Sequence, residues 1–279
     1  MLIWGSAFTV TKIAVDDAPP LLLAFLRNLV ASLIFLPLYL WKRRTGAINQ
    51  PLPYIKILLL GLTGITLFYA LFNVALVYTS AAAGALIQGF MPVAVAIPAV
   101  MFLKEKLSRR TIVGIILSVS GVILVGFIDN GSTAQNPVLG NTLMLLSVFC
   151  WAAYTIIAKS IQHHDPIVIP ALSTMAGTIL LLPLTAFELW GQDIPVITTT
   201  AWWAIIYLAA FPSALAFILY AMALKRLSAA QIGNFMNLDP IIGAAIAVIF
   251  LQDLMTGWQI AGAMLVLAGI WLSMEPGKK

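Results

Sequence analysis

The stretch that decides the fold is residues 19–41, PPLLLAFLRNLVASLIFLPLYLW, in which Arg27 is the only charged residue. A membrane-spanning helix needs about 20 mainly apolar residues to cross a hydrocarbon core of about 30 Å. The stretch therefore predicts a helix that crosses a membrane with one charge inside it. Acidic residues at 16–17 precede it and the basic run 42–44 follows it, so polar residues mark both of its ends.

Nine further stretches have the same apolar character. The chain of 279 residues is 62% apolar and 9% charged, against about 45–50% and about 25% for soluble globular proteins. This composition excludes an ordinary soluble enzyme. We predict an all-α membrane protein with ten transmembrane helices, five on each side of a polar interval, at residues 1–15, 19–41, 54–77, 79–103 and 111–128, then 138–160, 166–189, 199–223, 227–251 and 255–274.

Three features of the sequence argue against a disulfide, a nucleic-acid partner and a metal site. Cys150 is the only cysteine, so no disulfide forms within the chain. The formal net charge of +5 is spread between apolar stretches instead of forming a basic stripe on a soluble surface, so we expect no nucleic-acid partner. Adjacent histidines do not share a helix face, which makes the sequence His163-His164-Asp165 a turn and not a metal site. We expect no cofactor and no metal.

The basic residues predict the orientation in the membrane. Loops rich in Lys and Arg are retained in the cytoplasm. Lys12 falls on the opposite side and Arg27 within a span, but thirteen of the fifteen basic residues fall on one side: Lys42, Arg43, Arg44, Lys56, Lys104, Lys106, Arg109, Arg110, Lys159, Lys225, Arg226, Lys278 and Lys279. We therefore expect both termini in the cytoplasm and the protein in the cytoplasmic (inner) membrane. The opening MLIW has no basic region before it and is interpreted as part of a spanning helix, not as a cleavable signal peptide.

The chain also contains an internal repeat. Residues 4–12, WGSAFTVTK, align with residues 151–159, WAAYTIIAK, at an offset of 147. At an offset of 148 the matches are Ser80 with Ser228, Pro92 with Pro240, Glu105 with Asp253, Gly114 with Gly262 and Gly121 with Gly269. The register predicts a first five-helix repeat at 1–128, an outer linker at 129–137, a second repeat at 138–274 and a cytoplasmic tail at 275–279.

An odd number of spans per repeat has a consequence for function. The second unit enters the membrane from the side opposite to the first, so the repeats are inverted. Inverted repeats place a binding site near the membrane midplane, between two halves that rock against each other. This architecture favours a secondary transporter that works by alternating access.

Several motifs resemble those of a known family. They are Trp4-Gly5-Ser6, Leu26-Arg27, the small residues 80–85 leading to Pro92, Glu105-Lys106-Leu107, and Leu238-Asp239-Pro240 followed by Asp253. In their order and twofold repetition they resemble the EamA family of the drug/metabolite transporter superfamily, over nearly the whole chain. Within it the sequence is most similar to the YddG-type aromatic amino-acid exporters. The resemblance implies a ten-helix transporter that exports amino acids, related metabolites or drugs.

Two charged residues inside the predicted spans are candidates for substrate binding. A charge in the hydrocarbon core is costly and usually faces a cavity or a partner. Asp239 could bind a substrate ammonium group or carry a proton, or its carboxyl could be held by neighbouring amides and the backbone opened by Pro240. Arg27 could bind a carboxylate or extend toward the membrane interface.

Other candidates lie at a similar predicted depth. The paired prolines Pro92 and Pro240 are either hinges beside the site or simple bends. Ten further residues would give a cavity of aromatic faces and neutral hydrogen-bonding groups, suited to a small zwitterion with an apolar side chain: Tyr69, Asn73, Gln88, Met91, Trp151, Tyr154, Tyr207, Ser213, Asn234 and Asn237. Gly114, Ser118 and Gly121, with Gly262 and Gly269, predict close helix packing, or a dimer face as the second reading.

The alternatives fall into four classes. A membrane enzyme would need several acids, histidines or metal ligands at one depth, and a primary pump would need a phosphate-binding Gly-rich loop, which the sequence lacks. A channel stays possible. A drug or nucleotide-sugar transporter is the nearest alternative, although a phosphate substrate favours more cationic groups than Arg27 alone. We predict a monomeric carrier in the lipid bilayer that exports amino acids, aromatic or otherwise apolar, and related metabolites across the cytoplasmic membrane, with protons as a possible coupling ion.

Overall fold

A computed structural model describes residues 1–46, 51–91, 93–95, 98, 109–124, 135–191, 196–226, 236, 238–252 and 255–273. Within these residues the chain forms helices and no strand. The helices are α1 (Leu2–Asp17), α2 (Pro20–Arg44), α3 (Tyr54–Tyr78), α4 (Ala81–Gln88), α5 (Arg109–Ile123), α6 (Pro137–Ser160), α7 (Val168–Glu188), α8 (Thr199–Arg226), α9 (Leu238–Leu251) and α10 (Gly257–Ser273). Five of them, α2, α3, α6, α7 and α8, are long and apolar enough to cross a membrane.

Several helices begin at residues whose side chains satisfy the free backbone N–H groups of the first turn. Ser80, Asn136 and Thr198 each accept a hydrogen bond from the backbone N–H three residues later. Thr256 and Gln259 form a reciprocal pair at the start of α10, where each side chain accepts from the other's backbone N–H at 3.2 Å. Such caps stabilise a helix by about 1 kcal/mol each, and here they fix where four helices begin.

Contacts between helix termini define what we call the acidic end of the bundle. The Glu188 carboxylate at the end of α7 accepts hydrogen bonds from the backbone N–H groups of Leu21 (3.0 Å) and Leu22 (2.7 Å) at the start of α2. Asp17 at the end of α1 accepts one from the hydroxyl of Thr198 before α8 (2.8 Å). These bonds bring together the ends of α1 and α7 and the starts of α2 and α8.

The end of α2 and the start of α7 lie at the opposite end of the bundle, which we call the basic end. Lys42 of α2 makes an ion pair of 3.0 Å with Asp165, which precedes α7, and Lys56 of α3 donates to Ser160 at the end of α6 (3.0 Å). Partial burial lowers the pKa of His164 in the same turn, and the nearby positive charges of His163, Lys225 and Lys56 lower it further. Basic residues therefore gather at one end of the bundle, in line with the pattern found in the sequence.

Asp165 joins α2 to the first turn of α7, and we expect its removal to destabilise the fold. Burial disfavours its charge, but hydrogen bonds from Ile167 N–H, Lys42 and Val168 N–H outweigh burial, so the pKa of Asp165 is lowered from 3.8. A lowered folded-state pKa adds stability that is present above the unfolded-state pKa and is lost as pH falls through the folded-state value. Asp165→Ala should lower the free energy of unfolding by about 1–2 kcal/mol at neutral pH.

Thermal or denaturant unfolding in detergent checks this prediction at two pH values. The difference between Asp165→Ala and the native chain should shrink when the pH is lowered from 7 to about 3, since the native carboxyl is then losing its charge. A difference that stays constant over this range would contradict the assigned role.

Residues related by the sequence repeat make related contacts. Lys12 donates to the carbonyl oxygen of Leu76 (2.7 Å), and Lys159 donates to that of Leu224 (3.0 Å). These pairs are related by offsets of 147 and 148. A π-helical segment lies at Gly61–Leu67 in α3 and another at Ala209–Leu215 in α8, again 148 residues apart. The two halves of the chain therefore share local structure that the sequence alignment does not show directly.

Helices α5 and α10 pack with their backbones in near contact. A Cβ atom added to Gly121 would lie 2.5 Å from the carbonyl oxygen of Gly262, and one added to Gly269 would overlap the carbonyl oxygen of Gly114 and the hydroxyl of Ser118. The small residues thus serve packing within the chain, which was the first of their two predicted roles. The repeat offset of 148 maps Gly114 onto Gly262 and Gly121 onto Gly269. The contact pairs Gly114–Gly269 and Gly121–Gly262 are therefore equivalent to each other in the repeat.

Large apolar side chains cover the outside of the bundle. Trp203 is 68% exposed and Phe250 is 73% exposed, whereas soluble monomers rarely expose wide continuous apolar surfaces. The same surface includes Leu33, Ile55, Ile179, Phe187 and Trp271. A hydrocarbon environment removes the cost of this exposure.

Candidate functional site

A cavity lies between helices of the first and second halves of the chain. The space between its lining residues, counted with its open mouth, is about 580 Å³. Its lining residues are Trp4, Ala7, Phe8, Arg27, Phe68, Tyr69, Phe72, Gln88 and Met91 from the first half and Trp151, Pro212, Met236 and Asp239 from the second. A site between two halves is what the sequence led us to expect.

Aromatic rings form most of the wall. Trp4 meets Trp151 edge to face with ring centroids 5.5 Å apart, and Trp151 also contacts Phe68 at 5.0 Å. Phe72 stacks on Phe68 at 5.6 Å. Such pairs are rigid and apolar, so the wall suits a flat or bulky apolar group of a ligand.

Arg27 is the cation of the cavity and is 1% exposed. Its Nε donates to the hydroxyl of Ser213 (3.2 Å), its Nη2 donates to the carbonyl oxygen of Leu208 (3.5 Å), and its Cζ lies 4.1 Å from the centre of the Tyr69 ring. Its Nη1 is buried and has no hydrogen-bond partner among the described residues. The guanidinium group is therefore held on one side and free on the other.

Asp239 supplies the opposite charge from α9. It is 8% exposed, and its Oδ1 has no hydrogen-bond partner within the described part of the chain. The ion pairs found among described residues join Lys12 to Asp16 and Lys42 to Asp165, so no ion pair joins Arg27 to Asp239 there. Arg27 and Asp239 thus each bring to one cavity a buried polar atom that has no hydrogen-bond partner among the described residues.

Two further predicted residues line the cavity from α4 and just beyond it. Gln88 donates to the hydroxyl of Ser147 (3.1 Å) and approaches the sulfur of Met144 (3.5 Å). Met91 is 4% exposed. Tyr69, Gln88 and Met91 thus lie with Arg27, Trp151 and Asp239 around one space.

Other predicted residues lie beside the cavity without lining it. Asn73 donates to the carbonyl oxygen of Pro20 (3.0 Å), and Tyr207 shares a hydrogen bond with Ser6 (2.7 Å). Tyr154 stacks behind Trp151 at 4.9 Å. Ser213 contacts Arg27, as described above.

The remaining predictions concern α9 and its surroundings. Pro92, Asn234 and Asn237 lie outside the described residues. Pro240 is buried in the first turn of the described part of α9, and a Cβ atom added to Gly89 would lie 3.1 Å from its Cγ. Pro240 therefore packs against the turn that follows α4.

Sequence reasoning did not assign Trp4, Phe8, Phe68, Phe72 or Pro212 to the site. For Trp4 the sequence did contain a signal: the repeat aligns it with Trp151, which is one of the predicted site residues. Pro212 lies in the π-helical segment of α8, and its carbonyl oxygen accepts a hydrogen bond from Nε1 of Trp4 (3.1 Å). No feature of the sequence around it indicated this contact.

Metal ligands do not cluster in the described part of the chain, where no group of three or more His, Cys, Asp or Glu residues could hold an ion. His163 and His164 lie in a turn with ring centroids 4.3 Å apart. The chemistry that the described residues offer is thus charge pairing, hydrogen bonding and aromatic contact.

Comparison with known proteins identifies the family of the chain. The family model of the EamA-like transporter family matches residues 1–127 and 138–274. A similar protein from Archaeoglobus fulgidus, named an uncharacterized transporter, is 27% identical over 98% of this chain and 94% of its own length. A crystal structure superposes with a TM-score of 0.67 at 19% identity, covering 97% of this chain and 94% of that one, and so shares the fold.

Two other relatives have names that specify a substrate class. One from Salmonella typhimurium, a probable amino-acid metabolite efflux pump, is 27% identical over 98% of this chain and 92% of its own. One from Streptantibioticus cattleyicolor, a probable terminal-alkyne amino-acid exporter, is 26% identical over 96% of this chain and 89% of its own. With the family match over nearly its whole length and its apolar helices, this chain belongs to the EamA-like transporter family and is a membrane-embedded, multi-pass transporter.

Proposed function

We propose that the protein exports amino acids, preferably aromatic or otherwise apolar ones, as a secondary transporter that works by alternating access. One observation carries the proposal: Arg27 and Asp239 lie in one cavity, unpaired with each other, within an aromatic wall. An amino acid presents a carboxylate to Arg27, an ammonium group to Asp239 and its side chain to the rings of Trp4, Phe68 and Trp151.

The names of relatives support this substrate class, since two of them are described as exporters or efflux pumps for amino acids or their metabolites. A drug or nucleotide-sugar transporter is the alternative. A nucleotide sugar would bring one or two phosphate charges into the cavity, where Arg27 is the one cation among the described lining residues and Asp239 would repel phosphate.

We propose that the protein lies in the cytoplasmic membrane, crosses it ten times and has both termini in the cytoplasm. The repeats would be 1–128 and 138–274, inverted, with the outer linker 129–137 between them and a cytoplasmic tail at 275–279. The repeat-related lysine contacts and π-helical segments support the duplication, and the clustering of basic residues at one end supports the orientation.

Alternating access requires the two halves to move, and we assign the hinges to Pro92 and Pro240. A proline removes one helical hydrogen bond and so weakens a helix where it must bend. The cavity lies within one chain, and α5 and α10 bury their small residues against each other, so we propose that the monomer in the lipid bilayer is the working unit.

Counterflow in proteoliposomes tests the function. Vesicles with purified protein are loaded with unlabelled phenylalanine, and labelled phenylalanine, methionine, threonine and lysine are offered outside. We expect saturable accumulation of phenylalanine and methionine that exceeds that of lysine, because Arg27 and an apolar wall disfavour a second cationic group.

Two outcomes would contradict the proposal. Flux without exchange would indicate a channel. No accumulation of any of the four amino acids, by protein that elutes as a single folded species, would reject amino acids and favour cationic drugs as the substrate.

Asp239 is proposed to carry the coupling proton as well as to bind the ammonium group. Its carboxyl faces a cavity in the membrane and can alternate between charged and neutral forms. We expect a pH gradient to drive uptake by the native protein, and Asp239→Asn to exchange substrate without responding to the gradient. Gradient-driven uptake by Asp239→Asn at the native rate would reject both the proton-coupling role of Asp239 and its charge pairing with the substrate ammonium group.

A further inference from the structure

The hydrogen bonds that hold Arg27 come from α8: one acceptor is Ser213 in the π-helical segment, and the other is Leu208, the residue just before that segment. Ser213 Oγ accepts from Nε (3.2 Å) and the carbonyl oxygen of Leu208 accepts from Nη2 (3.5 Å). A guanidinium group has five N–H donors, one on Nε and two on each Nη nitrogen. With Nε and one Nη2 donor used, both Nη1 donors and one Nη2 donor remain on the edge that has no described partner.

Pro212 explains why α8 can offer these acceptors. In a regular α-helix the N–H of residue 212 would donate to the carbonyl oxygen of Leu208, but proline has no N–H. The carbonyl of Leu208 therefore lacks its α-helical donor, and Nη2 of Arg27 donates to it (3.5 Å). The carbonyl of Pro212 itself accepts from Trp4 (3.1 Å). The region of α8 around Pro212 thus accepts hydrogen bonds from Arg27 and Trp4, which both belong to the first half of the chain.

Ser213 differs from the residues of the cavity wall. It is 1% exposed and is not among the lining residues, so a ligand in the cavity does not touch it. Its hydroxyl nevertheless accepts the shorter of the two hydrogen bonds from the guanidinium group, 3.2 Å against 3.5 Å for the carbonyl oxygen of Leu208. An arginine without such contacts samples many rotamers and loses rotamer entropy when a ligand fixes it.

We propose that Ser213 is a positioning residue: with the Pro212 break in α8, it holds Arg27 so that the Nη1 edge points to the substrate carboxylate, and it thereby sets the preference for substrates that carry a carboxylate. The proposal rests on the proposed function for the identity of the substrate. In this arrangement a residue of the second half, Ser213, sets the orientation of a substrate-binding residue of the first half, Arg27.

Binding of two ligands to the purified protein tests the proposal. Phenylalanine carries the carboxylate and phenethylamine lacks it, while the ring and ammonium group are the same. We expect Ser213→Ala to weaken phenylalanine binding about tenfold, the scale of one charge-assisted hydrogen bond, and phenethylamine binding less than about twofold. Ser213→Thr keeps a hydroxyl at the same position and should restore the native values.

A matched control separates positioning from general loss of a buried hydroxyl. Ser173 of α7 is also fully buried, and its hydroxyl donates to the carbonyl oxygen of Pro170 in its own segment. Ser173→Ala should leave the ratio of the two binding constants unchanged. Equal weakening of both ligands by Ser213→Ala, or native binding of phenylalanine to it, would overturn the proposal.

A second measurement keeps the positioning role testable without any amino acid. Phenylglyoxal modifies arginine, and mass spectrometry can follow the peptide that contains Arg27. We expect Arg27 to react several times faster in Ser213→Ala than in the native protein and in Ser173→Ala, because the guanidinium group is no longer fixed. If the native protein bound neither ligand, the substrate assignment would fail, and equal reactivity in all three proteins would separately reject positioning by Ser213.

Discussion

Arg27→Met is expected to reduce amino-acid counterflow, measured as kcat/KM, by about 100-fold or more. Removing one partner of a buried, hydrogen-bonded charge pair costs about 2–5 kcal/mol, and every 1.4 kcal/mol corresponds to about a factor of ten. Methionine fills a similar volume but offers no donor to the substrate carboxylate. It also leaves the hydroxyl of Ser213 and the carbonyl oxygen of Leu208 without the donor that they have in the native protein.

Arg27→Lys should recover only part of the lost activity. Lysine keeps the positive charge, but its ammonium group is a point charge and cannot bind Ser213, Leu208 and a carboxylate in the geometry of the guanidinium plane. Initial rates are compared after normalisation to the folded, monodisperse fraction of each variant.

Lys56→Met provides the control for loss of a cation. Lys56 lies at the basic end of the bundle, where it donates to Ser160, and it is not part of the cavity. Its variant should transport within about twofold of the native rate, since an exposed polar contact contributes little. If Arg27→Met transported as well as Lys56→Met, the carboxylate role of Arg27 would be wrong.

Gly269→Leu is expected to have the second large effect, which is on folding. Even a single Cβ atom at Gly269 would overlap atoms of Gly114 and Ser118 and would lie 2.7 Å from the backbone nitrogen of Ser118. Backbone atoms cannot rotate away as a side chain can, so α5 and α10 would have to separate. We expect a loss of about 3 kcal/mol in unfolding free energy, at the upper end of overpacking effects, and little folded protein after extraction.

The same helix contains a matched control. Gly257 begins α10 and has no atom within 4 Å of an added Cβ. Gly257→Leu makes the same chemical change in open space and should be extracted and unfold like the native protein. Both variants are compared by fluorescence-detected size-exclusion chromatography and by thermal unfolding in detergent. Native behaviour of Gly269→Leu would show that α5 and α10 do not pack as described.

The helices were the most predictable part of the structure. The apolar stretch 19–41 became α2, Pro20–Arg44, and the stretch 199–223 became α8, Thr199–Arg226. Both helices extend past the predicted ends because the following Lys and Arg residues are good helix formers and can reach polar surroundings with long side chains. The repeat register was equally readable, since it depends on residue identity alone.

The π-helical segments were not predictable from the same information. Gly61–Leu67 and Ala209–Leu215 lie within continuous apolar runs, and hydrogen-bond spacing leaves no mark on hydropathy. In α8 the proline at 212 does not reveal that Ser213 and the carbonyl of Leu208 face Arg27 from another helix. That contact depends on how α2 and α8 are rotated about their axes.

The sequence by itself determined that this protein is helical, belongs in a membrane, contains two related halves and carries Arg27 and Asp239 within apolar stretches. These properties depend on the composition, the length and the order of the residues, all of which are given directly by the sequence. Only the tertiary structure decided that Phe68 and Phe72 face the cavity while Phe187 and Trp203 face outward. The physical reason is that a membrane helix is apolar all round, so the polarity pattern that reveals the buried face of a soluble helix is absent.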